Sequence, residues 1–176
     1  MLALNVSSDV LEGFSLVDEG LNRSKENSSM QNEAIYKELE AAMKRNPEKT
    51  RQWYEKAQLV RKMSDSLYMF AEDLKWEIVR DVDGDDADLE NIEGRDNLEA
   101  ATHVMLAPGV GKGDDLKRAI ESYRDGITQM INDKQQKEII QSNLTTEVPK
   151  KAKMMGKNWQ EYMFENMPTA AAVTLL

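Results

Sequence analysis

The stretch NPEKTRQWYEKAQLVRKMSDSLYMFAEDLKWEIVR, residues 46–80, decides the fold. Asn46 has the side chain of a helix cap, and Pro47 stands at a first-turn position where the missing N–H costs nothing. Trp53, Val60, Leu67 and Leu74 then recur every seven residues, with Ala57, Met63, Phe70 and Ile78 in the adjoining positions. That period lines up one side of a helix, and such a seam is buried only by another helix. The predicted core therefore includes Trp53, Val60, Leu67, Phe70, Leu74 and Ile78.

Upstream, residues 8–44 read as a long amphipathic helix. Val10, Phe14, Val17 and Leu21 share a face at spacings of four, three and four, and Ile35, Leu39, Ala42 and Met43 resume an apolar face later. Ser24, Asn27, Ser28 and Ser29 interrupt the stripe where a kink would fall. Asp9 and Glu12 have capping-box spacing, which predicts a start there. Unbroken, this helix is about 55 Å long. The short turn at Asn46 makes it the antiparallel neighbour of the seam helix.

Downstream, residues 81–96 form an acidic loop with eight carboxylates against Arg95 alone, so most of the chain's net charge of −9 is concentrated there. A short helix should follow, capped by Asp96 with Glu99 three positions on, burying Leu98, Ala101, Val104 and Met105 before Pro108. Beyond the turn at 108–113, a third long helix is expected over about 115–132, burying Ile120, Tyr123 and Ile127 among others and breaking near Asp133. A basic patch (Lys150, Lys151, Lys153, Lys157) and a helical stretch around Trp159, Met163 and Met167 precede Pro168. A last helix is cut short at 176. Nothing asks to be a central strand, so the predicted class is an all-α, elongated helical bundle.

Composition excludes several functions. The acidic balance opposes nucleic-acid binding. Without cysteine there is no thiolate nucleophile or thiolate metal site, and His103 is the only histidine. Gly109-Val110-Gly111-Lys112-Gly113 resembles a phosphate-binding loop but has Leu106 and Gly113 where glycine and Ser or Thr are required, and it reads as a flexible turn. Asp81, Asp83 and Asp85 are spaced like calcium ligands, yet Asp86 and Ile92 occupy the positions of the loop glycine and the bidentate glutamate. They remain only a weak calcium candidate. No serine has a recognisable base partner, so neither an enzyme nor a cofactor is predicted.

The segments MLALNVSSDVL (1–11), NPEK (46–49), KMSDSLY (62–68), DLKW (73–76), VMLAP (104–108), LTTEVPKKAK (144–153), GKNW (156–159) and FENMP (164–168) resemble the GldM/PorM family of the type IX secretion system. The resemblance covers nearly the whole chain. It implies a segment of an inner-membrane protein that transmits force in the periplasm for type IX secretion and gliding motility. Residues 1–7 would end a transmembrane helix, and residues 8–176 would be the membrane-proximal periplasmic bundle. The first helix would then continue from the membrane anchor, in place of a start at Asp9. The implied partners are a second copy, a pentameric-type inner-membrane proton-channel ring, and distal periplasmic and outer-membrane-associated components. Val6, Val10, Phe14 and Val17 are the expected dimer contacts near the membrane, with the acidic loop turned to solvent. A passive cation- or ligand-sensing module and a cytoplasmic coiled-coil scaffold are the alternatives.

Overall fold

The computed structural model describes residues 6–176. Among these, eight α-helices form the chain: α1 (Ser8–Arg45), α2 (Pro47–Asp83), α3 (Ala100–Leu106), α4 (Gly113–Met130), α5 (Lys134–Asn143), α6 (Lys150–Met154), α7 (Trp159–Phe164) and α8 (Thr169–Leu175). The all-α class and the bundle stand.

The expected continuation of the first helix from a membrane anchor does not. Val6 and Ser7 are non-helical. Ser7 has extended backbone (φ −66°, ψ 147°), and its side chain accepts from the Val10 amide at 3.4 Å, a helix-starting cap. Asp9, read as the cap, lies in the first turn, where a carboxylate faces the positive end of the helix dipole. No helix among the described residues is long and apolar enough to cross a membrane. The part of the transmembrane expectation that falls on residues 1–5 lies outside the described residues. α1 then runs unbroken through Ser24–Ser29, so no break marks the polar stretch.

Asn46 closes α1 and opens α2: its amide donates to the Ala42 carbonyl, while its side chain accepts from the Lys49 amide at 3.3 Å. The two long helices lie side by side, antiparallel. α2 continues to Asp83 and passes into a 3₁₀ turn, Gly84–Asp86, so the acidic segment begins as helix.

The core sits at the C-terminal end of α2. Leu74 and Ile78 are fully buried against Ala100, Ala101 and Met105 of α3, Leu116 of α4, Trp159 and Phe164 of α7 and Ala172 of α8. The alanines let α3 and α8 approach α2 closely, and the Trp159 and Phe164 rings meet edge to face with centroids 6.2 Å apart. Burying the side chains of Leu74, Ile78 and Phe164 contributes about 1.5–3 kcal/mol each.

Along the predicted seam, burial declines toward the N-terminus of α2. Phe70, Leu67 and Val60 are half-buried, as are Ile120, Tyr123 and Ile127 on α4. Trp53 is 61% exposed and is not core. The reason is length. α4 spans about 27 Å against about 55 Å for α2, and Gly126 already lies beside Met63. Trp53 falls beyond its end, with Lys56 Nζ 5.4 Å from the centre of its ring.

The other boundaries moved for local reasons. Asn97, not Asp96, prepares α3: its Oδ1 accepts from the amides of Glu99 and Ala100 at 2.8 and 2.9 Å. The expected break after the third long helix is real, with Asp133 capping α5 by accepting from the Gln136 amide at 2.8 Å. In the turn at 108–113, Pro108, Gly109 and Val110 are exposed, whereas Gly111 and Gly113 are packed. A Cβ on Gly111 would lie 2.7 Å from the Met105 carbonyl oxygen, and one on Gly113 would lie 2.8 Å from that oxygen and 2.6 Å from Gln160 Cβ.

Candidate interaction surfaces

Polar contacts hold α1 and α2 in one register. Lys25 Nζ donates to the Tyr68 hydroxyl at 3.3 Å and lies 3.9 Å from Glu72, which Lys75 also contacts at 3.1 Å. One helical turn or more toward the tip, Arg61 donates to Glu33 at 3.1 Å and stacks on Tyr36, 4.9 Å from the ring centre. Desolvation raises the Tyr36 pKa above its ordinary value, and the Arg61 guanidinium works against that shift. Near the turn, Lys44 lowers the pKa of Glu40, chiefly through their hydrogen bond. The half-exposed ion pairs of Lys25 and Arg61 across the two helices add little stability, about 0–1 kcal/mol each. The contacts between the helices nevertheless oppose sliding, because a shift of one turn, about 5.4 Å, separates Lys25 from Tyr68 and Glu72 and Arg61 from Glu33.

The acidic segment turns most of its carboxylates to solvent, as expected, and is anchored through Asp83 and Arg95. Asp83 accepts from the backbone amides of Glu93 and Gly94 at 3.0 and 2.9 Å, one on each carboxylate oxygen. Arg95 donates to the Leu11 carbonyl and Ser15 hydroxyl of α1. The Arg95 carbonyl accepts from the Ala170 amide at 3.1 Å, and the Asn97 carbonyl from the Thr169 amide at 2.9 Å. Arg95 thus joins α1 to α8, a role that its position as the one cation in an acidic run could have suggested. Between these elements lies a cleft of about 360 Å³ lined by Phe14, Lys75, Leu89, Ile92, Arg95 and Val173, among others.

This arrangement does not bring the three carboxylates of the calcium candidate together. Asp81 faces His103 Nδ1 at 3.2 Å, Asp83 is occupied by two amides, and Asp85 lies in the 3₁₀ turn beside Trp76 and Arg80. The three carboxylates serve different neighbours, and no group of three or more potential ligands converges among the described residues. Ser64 Oγ meets the Tyr123 hydroxyl at 2.9 Å, a pairing of two weak acids that leaves the serine without a base.

The stripe on α1 divides. Phe14 is half-buried and lines the cleft together with Ala170 and Val173 of α8. Val6 precedes the helix and is half-buried. Val10 and Val17 remain 49% and 52% exposed, and Leu21, one step further along the same face, is 52% exposed. Leu21 shares this face in the sequence as well, at spacings of four, three and four, although the expected dimer contacts stopped at Val17.

Compared with family models, residues 9–176 match the GldM N-terminal domain. No curated protein matches the chain.

Proposed function

Because this chain belongs to the GldM N-terminal domain family, we propose that it acts as a stiff periplasmic strut that passes force within the inner-membrane motor driving type IX secretion and gliding. At the family level the protein is a structural, non-catalytic periplasmic component of that machinery.

The observation that carries the force-transmitting reading is the α1–α2 pair, two antiparallel helices of 38 and 37 residues. Its C-terminal α2 end is clamped in the core, and its length is held in register by the Lys25, Glu72, Arg61 and Glu33 contacts. Packed side chains cannot slide without opening the space between them, so such a pair resists bending and shear.

The proposed assembly is a homodimer formed along the exposed Val10–Val17–Leu21 stripe, with Phe14 contributing its outer edge and Val6 flanking it. A contiguous apolar strip on an otherwise charged helix favours a matching surface, and a second copy supplies one. The further proposed partners are a pentameric-type proton-channel ring in the inner membrane and distal periplasmic and outer-membrane-associated components.

The test is a full-length protein carrying Lys25→Glu and Arg61→Glu, which sets like charges across both register contacts and leaves the core intact. Secretion and gliding should fall while protein level and dimerisation are retained. Normal secretion and gliding from a stable, dimeric variant would remove the force-transmitting role.

A further inference from the structure

Helix α6 is short and turns one residue inward. Ala152 is 6% exposed, packed into the protein, and the helix ends at Met155 and at Gly156, whose φ of +75° is freely available to glycine. Lys157 pairs with Glu165 at 2.6 Å. Immediately after, Asn158 and Glu161 form a reciprocal capping box that starts α7, and Trp159 is buried. The helix therefore turns Ala152 toward the protein and leaves its other side chains exposed.

What it presents is set by helical spacing. With Ala152 turned inward, Lys150 and Met154, four apart, share the outermost line, and Lys151 and Lys153 flank it. All three lysines are exposed, and none forms an ion pair among the described residues. Met154 is 88% exposed, and its neighbour Met155 65%. A basic, apolar-tipped knob thus stands on a chain whose net charge is −9.

We propose that this knob docks on the surface of an anionic phospholipid bilayer, the lysines meeting headgroup phosphates while Met154 and Met155 enter the interface. Charge complementarity requires an anionic occupant. The residue types favour lipid over an acidic protein, because lysine is depleted from protein interfaces, where arginine and aromatic anchors prevail, and the knob has neither. Lysines beside an exposed apolar side chain are instead the usual means of holding a protein at a charged bilayer surface. The inference goes beyond the strut reading and does not depend on it.

The experiment is vesicle flotation of the full chain with phosphatidylglycerol–phosphatidylethanolamine vesicles and, in parallel, with phosphatidylcholine vesicles. Binding should occur only with the anionic vesicles and weaken as salt is raised. Lys150→Gln, Lys151→Gln and Lys153→Gln together should reduce it on the order of 100-fold, from roughly fivefold per lysine. The matching triple Lys→Arg variant should retain it, and Met154→Asp should weaken it with the lysines intact. Absent binding to anionic vesicles, equal binding to both kinds, or binding that survives the triple Gln substitution overturns the proposal. So does a triple Gln variant that loses self-association in sedimentation while vesicle binding is unchanged, which would make the acidic segment of a second copy the occupant.

Discussion

The guanidinium of Arg95 donates to the backbone carbonyl of Leu11, 84 positions earlier in the chain. A carbonyl has two lone pairs, so Leu11 can accept this bond and keep its place in the α1 ladder. The contact fastens the first turns of a helix that has no fully buried residue. Arg95→Ala should lower stability by about 1.5–3 kcal/mol, the range for hydrogen bonds to a charged group. Amide exchange should accelerate selectively over the first four turns of α1. Unchanged exchange there would mean that other contacts hold the helix.

Burial along α2 sets a gradient of mutational cost. Leu74→Ala, at a fully buried position, should cost about 2–5 kcal/mol in denaturant unfolding. Leu67→Ala should cost less, because the site is half-buried and its neighbours can relax into the space. Trp53→Ala should lie within about 0.5 kcal/mol of the parent, as exposed substitutions do. A large loss at Trp53 would show that the tip is covered by a partner in solution.

Glycines should divide by location. Gly113→Ala places a methyl against the Met105 carbonyl and Gln160 Cβ and should destabilise by about 1–3 kcal/mol. Gly20→Ala, inside α1 with nothing within 4 Å, should stabilise by up to about 1 kcal/mol through helix propensity. Thermal unfolding of the two single variants gives the comparison directly. If Gly113→Ala were neutral, the turn between α3 and α4 would be looser than its contacts require.

Calcium titration calorimetry should give no saturable binding tighter than about 10⁻⁴ M, the weak end of known extracellular calcium modules. Asp83→Ala should still perturb the chain, because it leaves the amides of Glu93 and Gly94 without their carboxylate. The expected loss is about 1–3 kcal/mol, read in denaturant unfolding without metal. Saturable binding that vanished in a variant with Asp81, Asp83 and Asp85 all changed to Asn would restore the calcium candidate.

Single cysteines placed in the full-length protein at Val10, Val17 or Leu21 should crosslink copies on oxidation in native membranes, whereas one at Asp85 should not. Phe14→Cys should couple less well than Val10→Cys, since Phe14 faces the cleft toward α8. Efficient coupling through Asp85, with the stripe positions silent, would place the dimer axis elsewhere.

Much of the fold was legible because its signals are local. The cap and proline at Asn46-Pro47 and the break at Asp133 act within one or two helical turns, and each is where it was read. Capping was less certain wherever several residues competed. Ser7 and Asn97 took the positions assigned to Asp9 and Asp96, because the choice among neighbouring small polar side chains depends on where the flanking chain must go. The resemblance that extended the first helix through Ser7 was overruled by the extended backbone at that residue.

The sequence by itself determined that this chain is helical, that two long helices turn back on each other at Asn46, that no enzyme chemistry is marked in it, and which family it resembles. Periodicity, caps and residue types suffice for these, since each is a property of short stretches of chain. Only the tertiary structure decided that the seam is buried at Leu74 and exposed at Trp53, because burial depends on where α4 ends. It alone decided that Phe14 lines a cleft beside α8 while Val10 and Val17 stay exposed, and that Arg95 ties the acidic segment to α1. Those contacts join residues scores of positions apart, and periodicity identifies an apolar face without identifying what covers it.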